Sequence, residues 1–237
     1  MHRNRLFVLA SILTALLCLC SCAGPEGVAV VYATPLPNPI YEEADRAQFS
    51  MAYPLDDLVG KFIFKGKIDR VQEINLSLDA TGEDSRWDEW HSVCDVTVLN
   101  TLYGDAPDKK ESVKVLFGQS SRRFDKSGFA LVEGQEYYFI SYVITEYDRT
   151  NMNPIHNYAD VIGGVYYDIF PVSDGVVRYQ GWKFEGAQVL GKKDPTAKLK
   201  HEDLCTIDED DFLKQFTAMI EAAKTKAEAS ATGTAGR

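Results

Sequence analysis

The feature that most constrains this chain is alternation of apolar and polar residues with a period of two, repeated through its middle. Residues 136–144 (EYYFISYVI) are dense in aromatic and β-branched side chains and form the strongest strand signal. In residues 94–98 (CDVTV), Cys94, Val96 and Val98 alternate with Asp95 and Thr97, which turns the cysteine toward a core. Residues 61–71 place Phe62, Phe64 and Ile68 on one parity, and the intervening Gly66 marks a bulge or a close backbone approach. Val113, Val115 and Phe117 are in phase in a third strand. Residues 165–170 and 175–179 read as a hairpin about 171–175, where Asp174-Gly175 is a turn dipeptide. One helix is expected at the end: Thr206 and Glu209 have capping-box spacing. Phe212, Leu213, Phe216, Met219, Ile220 and Ala223 then make one apolar stripe, which needs a sheet to dock on. The fold class is mainly β, in detail α+β.

The N-terminus reads differently. Residues 1–5 (MHRNR) are basic and residues 6–17 (LFVLASILTALL) are apolar. That run is shorter than the ~20 residues needed to span a bilayer and has the form of an export signal. Residues 19–23 (LCSCA) resemble the lipobox of bacterial lipoproteins, with an aliphatic residue, a spacer, a small residue and then cysteine. The resemblance implies cleavage after Ser21 and diacylglyceryl transfer to Cys22. Cys18 and Cys20 each follow leucine, where the peptidase needs a small residue. Two acyl chains, each buried CH2 adding about 0.8 kcal/mol, would hold the protein to the extracytoplasmic side of a cell membrane or outer membrane. A plain secretory signal is the alternative.

These readings divide the chain into a leader (1–21), a lipidated N-terminus and proline-rich tether (22–53), a globular part (54–228) and a disordered tail (229–237). The tether carries Pro25, Pro35, Pro37 and Pro39, which favour extended backbone. Within it, residues 28–32 (VAVVY) read either as spacer or as an edge strand. Residues 54–59 read as one helical turn with acids at its start.

Lys and Arg number 25 against 35 Asp and Glu, and loss of Arg3 and Arg5 with the leader moves the net charge from -10 to -12. This balance argues against nucleic acid as a partner, since phosphate binding draws on Lys and Arg. It also argues against electrostatic adhesion to anionic lipid. The expected partners are therefore the membrane, through the lipid anchor, and an envelope protein or ligand.

Of the thiols beyond the leader boundary, Cys94 and Cys205 remain for the core. An exported protein can bridge them, stapling the terminal helix to the sheet. The alternative is two buried free cysteines acting as small hydrophobes.

Catalytic signals are absent from the sequence. No G-x-S-x-G, phosphate-binding glycine motif or H-E-x-x-H occurs, and no cofactor or metal is implied. His91, His156 and His201 lack ligand spacing and read as surface residues. The acidic aromatic run 83–90 (EDSRWDEW) is the most unusual surface candidate. Trp87, Asp88, Glu89 and Trp90 would form a binding loop, or a tryptophan would fold back as a lid. Asp84, Asp88 and Glu89 could offer oxygens to calcium, without EF-hand spacing. The acids at 208–211 read as charge at a helix N-terminus.

The order of these elements resembles bacterial relatives of the netrin-like or TIMP-like OB-fold domain. The motifs are 64–68 (FKGKI), 96–104 (VTVLNTLYG), 113–118 (VKVLFG) and 131–139 (LVEGQEYYF). The resemblance covers about residues 59–147 and implies a small antiparallel five-stranded barrel, with the hairpin and helix as additions. Metalloproteinase inhibition in animal relatives uses a free N-terminal cysteine, whereas here Cys22 would carry lipid behind a long tether, so that activity is not carried over. The resulting expectation is a non-enzymatic envelope binding module. The alternatives are a regulator of an extracytoplasmic hydrolase, or a hydrolase whose site assembles only in the fold.

Overall fold

A computed structural model describes residues 28–33, 55, 57–79, 86–117, 130–151, 154–164, 168–190 and 204–234. The chain divides into two compact units, residues 1–31 with 76–89 and residues 32–75 with 90–237. Both hydrophobic cores belong to the second unit.

The strands are β1 (Val28–Ala33), β2 (Lys61–Asp79), β3 (Arg86–Tyr103), β4 (Ser112–Phe117), β5 (Glu136–Val143), β6 (Val161–Gly163), β7 (Ile169–Ser173), β8 (Val176–Gln180), β9 (Gln188–Val189) and β10 (Leu204–Asp208). Helix α1 is Glu146–Asn151, followed by a 3-10 turn at Pro154–Tyr158, and α2 is Glu209–Thr234. Strand order is β1-β2-β3-β4-β6-β5-β7-β8-β10-β9, and β2 also pairs with β5. That extra pairing closes β2, β3, β4, β6 and β5 into a five-stranded, OB-like barrel. β2 with β5, β3 with β4 and β5 with β6 pair antiparallel, whereas β4 with β6 is parallel and registers Val115 with Val161.

β5 explains why its sequence shows little apolar–polar alternation: both of its faces are buried. Tyr137 and Phe139 point into the barrel with Phe62, Phe64, Cys94, Val96, Val115 and Phe117. Tyr138 and Ile140 point the other way, into a second core with Phe170, Tyr179, Trp182, Phe212, Phe216 and Ile220. Helix α2 closes that core, with Phe212 and Phe216 stacked at 5.0 Å and each about as close to the ring of Phe170.

Two glycines act as the strand spacing requires. At Gly66 an added Cβ would lie 2.6 Å from Val96 Cγ1 and 3.0 Å from the Thr97 carbonyl, so β2 and β3 need its bare backbone. Gly104 has φ +74° and would drive a Cβ into the Lys61 carbonyl oxygen.

Several local expectations move. Residues 57–58 are irregular and 59–60 form a turn, rather than a helical turn, with Val59 N–H donating to Asp57 Oδ1 at 2.9 Å. The hairpin tightens to the two-residue turn Asp174-Gly175, both with positive φ, and Pro171 lies inside β7 opposite Tyr137. The β7–β8 ladder spans Val172–Ser173 against Val176–Val177, so no donor is asked of the proline on that side. Thr206 sits within β10, and Asp208 caps α2 by accepting from Asp210 N–H at 3.0 Å and Asp211 N–H at 3.4 Å. The helix continues to Thr234, past the expected end at 228. Residues 28–33 are a strand, the second of the two readings of that stretch.

Candidate functional site

The barrel interior is filled rather than hollow. Phe62, Phe64, Phe117 and Phe139 are fully buried, with Phe62 stacked on Phe64 at 4.4 Å and Phe64 on Phe139 at 4.9 Å. At one end of the barrel Ser92 donates to Glu73 Oε1 at 2.9 Å, both side chains wholly enclosed. Tyr137 ties down the turn before β5: its hydroxyl accepts from Val132 N–H at 3.0 Å and donates to the Ala130 carbonyl at 2.8 Å.

Outside the barrel, on the faces of β2, β3 and β4 opposite the core, lies a recess of about 180 Å³. Its floor includes Gln72, Ile74, Val93 and Lys114, and its wall is made by Arg149 together with Asn157, Tyr158, Ala159 and Asp160. Local chemistry builds that wall. Thr145 N–H and hydroxyl both donate to Asp148 Oδ2 at 2.7 Å, and Asp148 N–H returns to Thr145 Oγ1, a capping box that starts α1. These bonds hold the Asp148 carboxyl below its usual range. Arg149 then donates to the carbonyls of His156 at 2.8 Å and Ala159 at 2.9 Å, which fastens the 3-10 turn to the helix. Asp160 accepts from Lys110 Nζ at 2.7 Å and Lys114 N–H at 2.9 Å, and its own N–H donates to the Lys114 carbonyl. The bond to Asp160 raises the Lys110 ammonium above its ordinary value.

The recess thus presents charges of both signs, with Arg149 held by backbone carbonyls and Asp160 by a backbone amide and Lys110. A recess this size is below the ~300–1,000 Å³ of small-molecule pockets, so it suits one or two side chains of a docked chain.

The residues singled out from sequence are dispersed. Cys22 and His201 lie outside the described residues. Trp87, Asp88, Glu89 and Trp90 belong to β3 rather than to a loop, and their side chains lie outside the described part. Asp84 also lies outside. Cys94 and Cys205 are both buried and unbridged, against the disulfide that export permits. The reason is placement: Cys94 points into the barrel core, and Cys205 into the core beneath α2. Burial pushes the Cys94 thiol well up, with Glu73, Asp95 and Glu133 adding to it. His91 and His156 are buried, not surface residues as their spacing suggested, each 9% exposed. His156 Nδ1 has no hydrogen-bond partner among the described residues. Of the acids at 208–211, Asp208 caps α2, and Glu209 faces Lys65 and Tyr138.

No cluster of metal-ligating side chains occurs among the described residues, and no described helix is long and apolar enough to cross a membrane. Comparison with protein-family models, curated proteins and solved structures found no match.

Proposed function

We propose that this chain is a bacterial envelope lipoprotein, anchored through Cys22, whose OB-like barrel binds an envelope protein without catalysing a reaction. The observation that carries the reading is how the charges of the recess are used. Arg149 and Asp160 spend their hydrogen bonds on backbone groups and Lys110, leaving a rigid rim for recognition rather than a group free to move a proton. A barrel packed with phenylalanine offers no interior room for substrate. The recess is taken as the docking point because its parts are held in place.

Fractionation and capture test the two halves of the proposal. Wild-type protein should sediment with membranes, and Cys22→Ala should move to the soluble fraction with altered electrophoretic mobility. From detergent-solubilised envelopes, wild type and Trp87→Ala/Trp90→Ala should capture the same protein. Lys114→Glu and Asn157→Lys, both exposed positions of the recess, should lose it. Unchanged capture by the recess variants, with loss in the tryptophan variant, would move the docking point to β3 and refute the recess.

A further inference from the structure

Asp168, directly before β7, is a carboxylate the recess does not use. It is 2% exposed, and its Oδ1 has no hydrogen-bond partner among the described residues. Its placement is rigid: the Asp168 carbonyl accepts from Ile140 N–H at 2.8 Å, and its carboxyl lies over Gly164, filling the space a Cβ there would need. Two neighbouring strands turn titratable groups toward it. Lys61 of β2, 5% exposed, acts on it electrostatically, and Tyr142 of β5 is the Cα partner of Lys61 across the ladder. Lys61 Nζ lies 5.2 Å over the Tyr142 ring, so its charge is shared with an aromatic face. Asp57, in the turn before β2, adds a further negative charge that acts on Tyr142.

An ionised carboxylate removed from water needs acceptor bonds at both oxygens. Here one oxygen lacks any, and a proton bound to the carboxyl removes the charge altogether. We propose that Asp168 is a proton-binding site of the folded domain, a latch that takes up one proton in mildly acidic surroundings and tightens the seam where β2, β5 and β7 meet.

The direction follows from linkage. Burial drives the Asp168 carboxyl up to about 6, and Lys61 offsets this only in part. An acid that binds its proton more tightly when folded stabilises the fold as pH falls through the folded value, down to the unfolded value near 3.8. Between pH 7.5 and pH 5 the folding equilibrium should therefore gain about tenfold.

The test is urea unfolding of the full chain at pH 7.5, 6 and 5, for wild type and Asp168→Asn. Wild type should gain about tenfold in its folding constant over that interval. Asp168→Asn, which cannot ionise, should lose this increment. Parallel pH dependence in the two proteins would overturn the proposal. Should Asp168→Asn fail to fold, a carbon-13 carboxyl titration of wild type decides: a midpoint near 6 supports the latch, and one near the ordinary aspartate value refutes it.

Discussion

The hydroxyl of Tyr138 donates to Glu209 Oε1 at 2.8 Å, joining the strand shared by both cores to the first turn of the terminal helix. Lys65 Nζ reaches the same oxygen at 2.7 Å and also Glu136 Oε2 at 2.7 Å, so the helix start is fixed to β2 and β5 at once. Burial and the neighbouring Glu209 push the Tyr138 phenol upward, so it stays a donor across the ordinary pH range. Glu209→Ala would strand that hydroxyl and remove one of two partners of Lys65. It should cost about 1–3 kcal/mol in urea unfolding. Tyr138→Phe, which removes the donor but keeps the ring in the core, should cost less.

Phe216 and Phe212 are wholly buried and stacked on one another beneath Trp182 and Phe184. Phe216→Ala should destabilise the domain by about 3–5 kcal/mol. If α2 instead lay loosely on the sheet, the loss in the unfolding midpoint would be small.

Gly104 and Gly134 both have positive φ, +74° and +83°, but differ in surroundings. Gly134 has nothing within 4 Å of an added Cβ, so Gly134→Ala should cost the left-handed backbone alone, about 1–2 kcal/mol. Gly104→Ala must also displace the Lys61 backbone and should cost clearly more. Equal thermal shifts for the two variants would contradict the close approach of Gly104 to β2.

The core thiols give a direct chemical check. Cys94 and Cys205 lie in separate cores, so peptide mapping without reductant should recover both as free thiols. Alkylation of the folded protein should be slow at Cys94, whose burial disfavours the thiolate, and rapid once urea unfolds the chain. A Cys94–Cys205 cross-linked peptide would contradict the placement of the two cores.

Strands marked by several residues of alternation, or by a dense run of aromatic and β-branched residues, were legible from sequence. Ser112–Phe117 and Glu136–Val143 fall where the pattern puts them, and Phe212, Phe216 and Ile220 form the buried face of the helix. The elements that close the architecture were not legible. β6 is only Val161–Gly163, too short to show a period, yet it completes the barrel by pairing with β4 and β5. β10 carries Thr206, which looked like a cap because a strand running straight into a helix leaves the same polar residues at the junction. Within the site, Arg149 and Asp160 carry no motif. Their roles come from carbonyls and amides brought together by the fold, which residue identities alone do not announce. Buried His91 and His156 escaped for a related reason: a polar residue without ligand spacing reads as solvated until the packing is known.

The proposed docking at the recess is tested most directly by placing a photo-crosslinking residue at Asn157, on the recess wall, in the full-length chain produced in bacterial cells. A second variant carries the same residue at Glu185, an exposed position that does not line the recess. The expected result is one discrete protein adduct from Asn157, absent from Glu185 and lost when Lys114→Glu is added. The same adducts from both positions, or none from Asn157, would contradict a binding module that works through this face of the barrel.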